Sequence, residues 1–194
     1  MIPIAHKTKK TYYYNIEEST AAFSFTQTLR QLIWSQIEKG QKLVILCVGS
    51  DRATGDCLGP IVGYKLGKQH SSDMLIYGSL NHPVHAKNLQ DTVSYLHRHH
   101  PNAFIIAVDA SLGVSEHIGY ITLGEGPLKP GIGVDKTLPS VGNIFITGIV
   151  NSSGLGGHSR LQTTRLDTVM RLADFICDGI AAAVSSPKYV KERL

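Results

Sequence analysis

Short apolar runs alternate with longer amphipathic stretches along most of the chain. Residues 42–48 read KLVILCV and residues 104–108 read FIIAV, so both runs are almost wholly apolar. Runs of this length and composition predict strands that are covered on both faces, as in a parallel sheet. Three further strands are predicted over 74–78, 118–123 and 144–150. The run at 118–123 alternates less cleanly and is the candidate for an edge strand.

Helices are predicted between these strands. Apolar residues at helical spacing mark the first of them, which ends at Gly40. The predicted helices cover 20–39, 57–70, 86–100 and 161–183. Strands that alternate with helices predict an α/β fold, here a three-layer α/β/α sandwich around a five-stranded, mostly parallel but mixed sheet. Residues 1–19 are predicted to be a flexible arm, and residues 20–194 a single domain.

Composition and charge narrow the class of protein. The chain has 194 residues, of which 42% are hydrophobic and 18% charged, as in an ordinary globular domain. The formal net charge is only +4 and the basic residues are scattered, so no nucleic-acid partner is expected. No apolar run is long enough to span a bilayer and the first residues lack the order of a secretory signal, so no membrane partner is expected. Three cysteines without zinc spacing predict free thiols in the cytoplasm.

Two aspartates follow two of the predicted buried strands. Asp56 lies on the loop after the run at 42–48, where the next helix begins, and Asp109 comes directly after FIIAV. Ligands in open α/β sheets bind beyond the carboxyl ends of the strands, so the two carboxylates are expected to face one crevice. The simpler interpretations are a helix N-cap for Asp56 and a turn residue for Asp109.

A pair of carboxylates in one crevice has two chemical uses. Held close together they cannot both ionise easily, so one stays protonated while the other acts as a base on water. Alternatively, they bind a divalent metal that lowers the pKa of a bound water. The sequence does not choose between these uses, and no resident cofactor is predicted. Cys57 is a weaker candidate nucleophile, because no sequence signature supplies its base.

Four further residues are candidates for substrate binding. Asp51 lies on the same loop as Asp56, and His82 and His85 in NHPVHAKN follow the predicted strand over 74–78. His158 lies in the glycine-rich segment SSGLGGHSR. An exposed charge or a surface hydrogen bond is the simpler interpretation of each, and an HxxH spacing on a loop is a weak metal signal. The Gly- and Pro-rich stretch at 124–142 is long enough to be a functional loop.

Several of these segments resemble one enzyme family. The stretch CVGSDRATGDCLGPIVGYKL resembles the first motif of the spore germination protease family and of the related hydrogenase maturation proteases, and FIIAVDAS resembles the second. LKPGIGVDKTL and FITGIVNSSG resemble the Pro-Gly-rich loop of the germination protease and the strand after it. The resemblance runs from about 42 to 154 and extends to the small YyaC-type sporulation proteins. It implies a phosphorylase/hydrolase-like fold.

The resemblance also implies a function. The acidic residues of the two germination protease motifs fall on Asp56 and Asp109, which would be the catalytic residues of a sporulation-associated peptidase. A protein or peptide substrate in the spore or forespore compartment follows by resemblance, and a homo-oligomer is left open. In the hydrogenase maturation proteases the same two positions, with a histidine, bind the metal of the substrate.

The chain departs from both relatives at one point each. It has no histidine between Gly119 and Gly157, where the hydrogenase maturation proteases carry theirs. It reads Lys-Pro-Gly at 129–131, where the germination protease has its own histidine. Two alternatives therefore stand beside the peptidase. One is a non-enzymatic sporulation protein that binds a peptide or partner in the cleft, and the other is a metal-dependent hydrolase that uses the aspartates with His82 or His85.

Overall fold

The elements of the fold follow the predicted alternation. The computed structural model describes residues 10–69, 74–130, 138–154 and 156–185. The strands are β1 (Thr11–Asn15), β2 (Leu43–Cys47), β3 (Met74–Tyr77), β4 (Phe104–Gly113), β5 (Tyr120–Glu125) and β6 (Ile144–Ser152). The helices are α1 (Ala21–Trp34), α2 (Leu58–Lys68), α3 (Leu89–His99), α4 (Gly157–Gln162) and α5 (Leu166–Val184). A 3₁₀ turn at Gly55–Cys57 precedes α2.

One mixed sheet runs through the domain, in the order β1-β5-β6-β4-β2-β3. The pairs among β3, β2, β4 and β6 are parallel, whereas β5 pairs antiparallel with both β6 and β1. All five residues of β2 are buried, as expected of a strand that is covered on both faces. The mostly parallel, mixed sheet is confirmed, and the described part of the chain contributes six strands to it rather than five.

Helices cover both faces of this sheet. Buried residues of α1, α2 and α5 pack in one apolar cluster with alternate residues of the strands. The buried residues of α3 form a second cluster with the other faces of β2 and β4. The three-layer α/β/α sandwich is therefore confirmed. Because ligands bind beyond the carboxyl ends of parallel strands, the ends of β2, β4 and β6 define where the site lies.

The segment before α1 is the main correction to the predicted fold. Residues 11–15 form β1, an edge strand that pairs with all of β5 except Glu125. Tyr14 is 8% exposed and meets Phe25 edge-on at 5.4 Å, while Tyr13 is 56% exposed. The predicted arm is thus wrong from residue 11 onward, and residues 1–9 lie outside the described part of the chain. Since β1 covers β5, the edge position predicted for 118–123 is also wrong.

The predicted last helix is two helices. α4 ends at Gln162 and α5 begins at Leu166. Asn151 at the end of β6 holds the segment between them, because its side-chain amide donates to the Arg160 carbonyl (2.9 Å) and to the Thr164 hydroxyl (3.3 Å). These bonds fix α4 beside the carboxyl end of β6.

Helix α2 lies directly against the backbone of the sheet. Gly59 and Gly63 are four residues apart and so lie on one face of the helix. A Cβ atom on Gly59 would stand 2.0 Å from the carbonyl oxygen of Val48, and one on Gly63 would stand 1.8 Å from that of Gly78. Only glycine allows this approach, which places the start of α2, and Asp56 before it, at the end of β2.

Candidate active site

Both predicted catalytic aspartates line one cavity at the carboxyl end of the sheet. The cavity has a volume of about 590 Å³, which is the size of a typical ligand pocket. Asp56 reaches it from the 3₁₀ turn before α2, and Asp109 reaches it from within β4. Two elements that the sequence pattern separates by about fifty residues therefore supply one site.

Asp109 is the more deeply buried member of the pair. It is 7% exposed, and its Oδ1 atom accepts a hydrogen bond from the Ala110 N–H group at 2.8 Å. Burial raises the pKa of Asp109 well above its ordinary range, and the nearby Asp56 carboxylate raises it further, while the Ala110 N–H group opposes both effects. The protonated form of Asp109 is therefore favoured.

Asp56 is only partly buried and has partners that favour its charge. Burial raises the pKa of Asp56, whereas the Ser50 N–H group and electrostatic attraction to His158 and His85 lower it. The pKa of Asp109 is raised more strongly than that of Asp56. The environments of the two carboxyl groups thus differ in the way that separates an acid from a base.

Two of the four predicted substrate-binding residues meet the aspartates in the cavity. His85 and His158 both line it, whereas Asp51 and His82 are exposed and do not. The His85 N–H group donates to the side chain of Asn88 at 2.8 Å, which fixes the loop before α3. His158 lies on α4, the short helix held at the end of β6.

A row of buried hydroxyl groups crosses the sheet beside Asp109. Thr147 on β6 lies opposite Asp109 in the strand register, and Thr122 on β5 lies opposite Thr147. The Thr122 and Thr147 hydroxyls are 2.5 Å apart, and the Ser111 hydroxyl donates to that of Thr147 at 3.2 Å. Sequence analysis missed this row. Its signal is a threonine in each of two otherwise apolar strands, whose mutual register no local pattern reveals.

The glycine- and proline-rich stretch at 124–142 forms part of the cavity wall. Leu128 and Val141 bridge its two ends, with N–H groups that donate to each other's carbonyl oxygens at 2.8 and 3.0 Å. Lys129, Pro130 and Leu138 line the cavity between those ends. Residues 131–137 lie outside the described part of the chain. Within the described part, this stretch closes one side of the site, as a functional loop would.

The thiol chemistry considered for Cys57 does not fit its surroundings. Its Sγ atom donates to the Thr54 carbonyl at 3.1 Å. Burial and the nearby Asp56 and Asp51 carboxylates raise the pKa of Cys57, whereas a nucleophilic thiol needs a lowered one. The cysteines Cys47, Cys57 and Cys177 are all free and buried.

Across 10–69, 74–130, 138–154 and 156–185, no group of three or more His, Cys, Asp and Glu side chains is arranged to hold one metal ion. Over the same ranges, no helix has the length and apolar character needed to cross a membrane.

Comparison with known proteins places the chain among relatives. It is 44% identical over 155 residues to the uncharacterized protein YyaC of Bacillus subtilis strain 168, a match that covers 79% of this chain and 76% of that protein. A crystal structure of the NiFe hydrogenase maturation protease HycI from Thermococcus kodakarensis is similar with a TM-score of 0.49 and 14% identity, over 82% of this chain and 99% of that one. The predicted resemblance to YyaC is thus confirmed. Residues 13–179 match the family described as "Protein of unknown function (DUF1256)", and the chain belongs to that family.

Proposed function

We propose that this chain is a peptidase that hydrolyses a peptide bond with Asp56 and Asp109 as its acid–base pair. The observation that carries the proposal is the pairing itself. Both carboxyl groups line one cavity, and burial raises the pKa of each, that of Asp109 the more. Pairs of titratable groups whose environments separate their pKa values are typical of acid–base catalysis.

The asymmetry of the pair assigns a role to each residue. Asp56, the less buried of the two and attracted by two histidines, takes a proton from a water molecule. The water oxygen attacks the carbonyl carbon of the substrate, while protonated Asp109 donates to the carbonyl oxygen. As the C–N bond breaks, the amine nitrogen takes the proton from Asp56, and a hydroxyl group of the tetrahedral intermediate returns its proton to Asp109, which leaves an amine and a carboxylic acid. Asp56 and Asp109 then share one proton again, so that the pair titrates as a unit.

The resemblance to the germination protease supports a role in sporulation. It suggests a small acid-soluble spore protein or a protein precursor as the substrate, inside the spore-forming cell. These proposals rest on the quoted motifs and not on the geometry of the cavity.

A binding protein with the same fold is the second candidate. Apolar side chains of Leu112, Leu138, Phe145 and Leu161 line the cavity beside the aspartates, and such walls also suit a peptide that is held and not cut. A fold alone does not imply catalysis, so this candidate needs the same experiment.

The test is cleavage of small acid-soluble spore proteins by the unsubstituted chain and by Asp56→Asn and Asp109→Asn. Asp51→Asn serves as the matched control, because Asp51 is an exposed carboxylate outside the cavity. Circular dichroism verifies that every variant is folded. We expect cleavage that both cavity variants lose and the control keeps.

The same assay separates the rival functions. Cleavage that stops with a chelator and returns with a divalent metal would support a metal-dependent hydrolase that uses the same carboxylates. No cleavage of any spore protein, with or without added metal, would favour the binding protein.

A further inference from the structure

Strand β4 is longer than its neighbour β2. The pairing of β2 with β4 ends at Cys47 and Val108, whereas β4 continues to Gly113 and pairs there with β6 alone. The last main-chain bond on the β2 side joins the Val48 N–H group to the Val108 carbonyl at 2.7 Å. Past this bond, from 110 to 112, no strand of the described part of the chain lies beside one side of the β4 backbone. We call this side the β4 notch.

Two residues direct their main-chain groups into the β4 notch. In an extended chain, residues two apart direct their N–H and C=O groups to the same side, so Ala110 and Leu112 follow Val108. The Gly113 carbonyl points to the opposite side, as this alternation requires, because it accepts from the Ser153 N–H group on the β6 side at 2.6 Å. Ala110 and Leu112 both line the cavity.

Most of these main-chain groups lack a partner within the described protein. The Ala110 N–H group donates to Asp109. Outside the ladder with β6, which the alternation places on the other side of β4, the Ala110 carbonyl and both main-chain groups of Leu112 have no hydrogen-bond partner among the described residues. A strand inside a sheet normally has both of its sides paired, so these groups form a vacant template for one more strand.

We propose that an extended segment of the peptide substrate docks in the β4 notch by strand addition, an inference that rests on the proposed function. The Leu112 N–H group donates to a substrate carbonyl, and the carbonyls of Ala110 and Leu112 accept substrate N–H groups. Asp109 directly precedes Ala110, and a strand advances by about 3.3 Å per residue. The docked main chain therefore passes close to the aspartate pair.

This mode of binding defines the class of substrate. Main-chain bonds require a segment that is unfolded or readily extended, with no proline at the paired residue. Successive side chains of a docked strand point to opposite faces of the sheet. One face of the cavity offers Phe145, which packs on the α3 side, and the other offers Leu161, which packs on the α5 side. Apolar side chains two or more residues apart are therefore expected in the bound segment.

The main test removes one N–H group from the β4 notch. Leu112→Pro deletes a donor that takes no part in the pairing with β6, and proline is tolerated on unpaired strand sides. Leu112→Ala is the matched control, because it removes the same side chain and keeps the N–H group. The substrate is β-casein, which is unfolded in solution. We expect the KM of Leu112→Pro to exceed that of Leu112→Ala by about threefold to tenfold, the effect of one hydrogen bond.

A second measurement does not depend on whether the Leu112 variants fold. Hydrogen exchange of the Leu112 N–H group is followed by NMR in Asp56→Asn, with and without β-casein. We expect β-casein to slow exchange at Leu112 and to leave Tyr13 on the exposed edge strand unchanged.

The outcomes separate docking from catalysis. Equal KM values for the two Leu112 variants, or exchange at Leu112 that β-casein does not slow, would overturn the docking and leave the proposed peptidase standing. Protection at Leu112 without cleavage of β-casein or of any spore protein by the unsubstituted chain would support the docking and overturn the peptidase. Failure of β-casein to bind at all would also overturn the docking.

Discussion

Replacing Asp109 with asparagine is expected to stabilise the fold while it abolishes hydrolysis. The Asp109 carboxyl is 7% exposed and accepts one hydrogen bond from the described residues, that of the Ala110 N–H group, although an ionised carboxylate offers about four acceptor sites. Burial and the neighbouring Asp56 carboxylate also raise its pKa. Asparagine has nearly the same size, keeps an oxygen for the Ala110 N–H group, and carries no charge.

The size of the effect follows from this deficit of partners. A buried polar group that is left short of hydrogen bonds costs about 1–3 kcal/mol, and more when it is charged. We therefore expect Asp109→Asn to raise the free energy of unfolding by about 1–3 kcal/mol at neutral pH. For a domain of this length, that corresponds to a Tm higher by about 2–12 °C.

The gain in the free energy of unfolding from Asp109→Asn should increase as the pH rises. The folded pKa of Asp109 is raised above the unfolded value of about 3.9, so below about pH 4 both states are protonated and the two proteins should unfold alike. As the pH rises, the unfolded chain releases its proton first, and the advantage of Asp109→Asn grows until the folded pKa is passed. Thermal unfolding followed by circular dichroism across this range measures it, with the exposed Asp51→Asn as control. A folded Asp109→Asn whose Tm equals or falls below that of the unsubstituted chain at neutral pH would refute the reasoning.

Two further predictions concern α2 and α4. Gly63→Ala should lower the free energy of unfolding in urea by about 1–3 kcal/mol, because its Cβ atom would stand 1.8 Å from the Gly78 carbonyl oxygen. On the same helix, a Cβ atom added at Gly67 would have no described atom outside the helix within 4 Å, so Gly67→Ala should instead raise the free energy of unfolding by about 0.5–1 kcal/mol. Equal changes in the free energy of unfolding for the two variants would contradict this packing. His158→Gln should raise the pKa of Asp56 and move the acid limb of the pH–rate profile to higher pH, since the electrostatic effect of His158 that lowers this pKa is lost. An active variant with an unmoved limb would show that His158 does not act on Asp56.

The aspartate pair could be predicted because both residues follow apolar runs that form buried parallel strands. KLVILCV and FIIAV are apolar on both faces, and the carboxyl ends of such strands meet at one edge of the sheet. No pattern in the sequence sets how strongly Asp56 and Asp109 are buried. The split between acid and base therefore became visible only in the structure.

The missed features depend on pairing between distant segments. The tyrosines Tyr12 to Tyr14 favour a strand by propensity, but they form one because β5, about 110 residues away in the sequence, offers them an edge. The end of β4, from Ala110 to Gly113, has no β-rich composition, and is extended because β6 runs beside it. The hydroxyl row of Thr122 and Thr147 likewise exists only in the register of two strands. Local propensity does not encode such non-local contacts.

The glycine contacts of α2 have a consequence for how this site can diversify. Gly59 and Gly63 leave no layer of side chains between the helix and the sheet. Substitutions at that contact can therefore neither widen nor narrow the cavity on the side that carries Asp56. Another wall, at 127–130 and Leu138, is made of loop side chains that substitution can reshape without moving the helix. Variants of this domain that accept different ligands should accordingly differ in that loop, and keep the glycine face of α2 as it is.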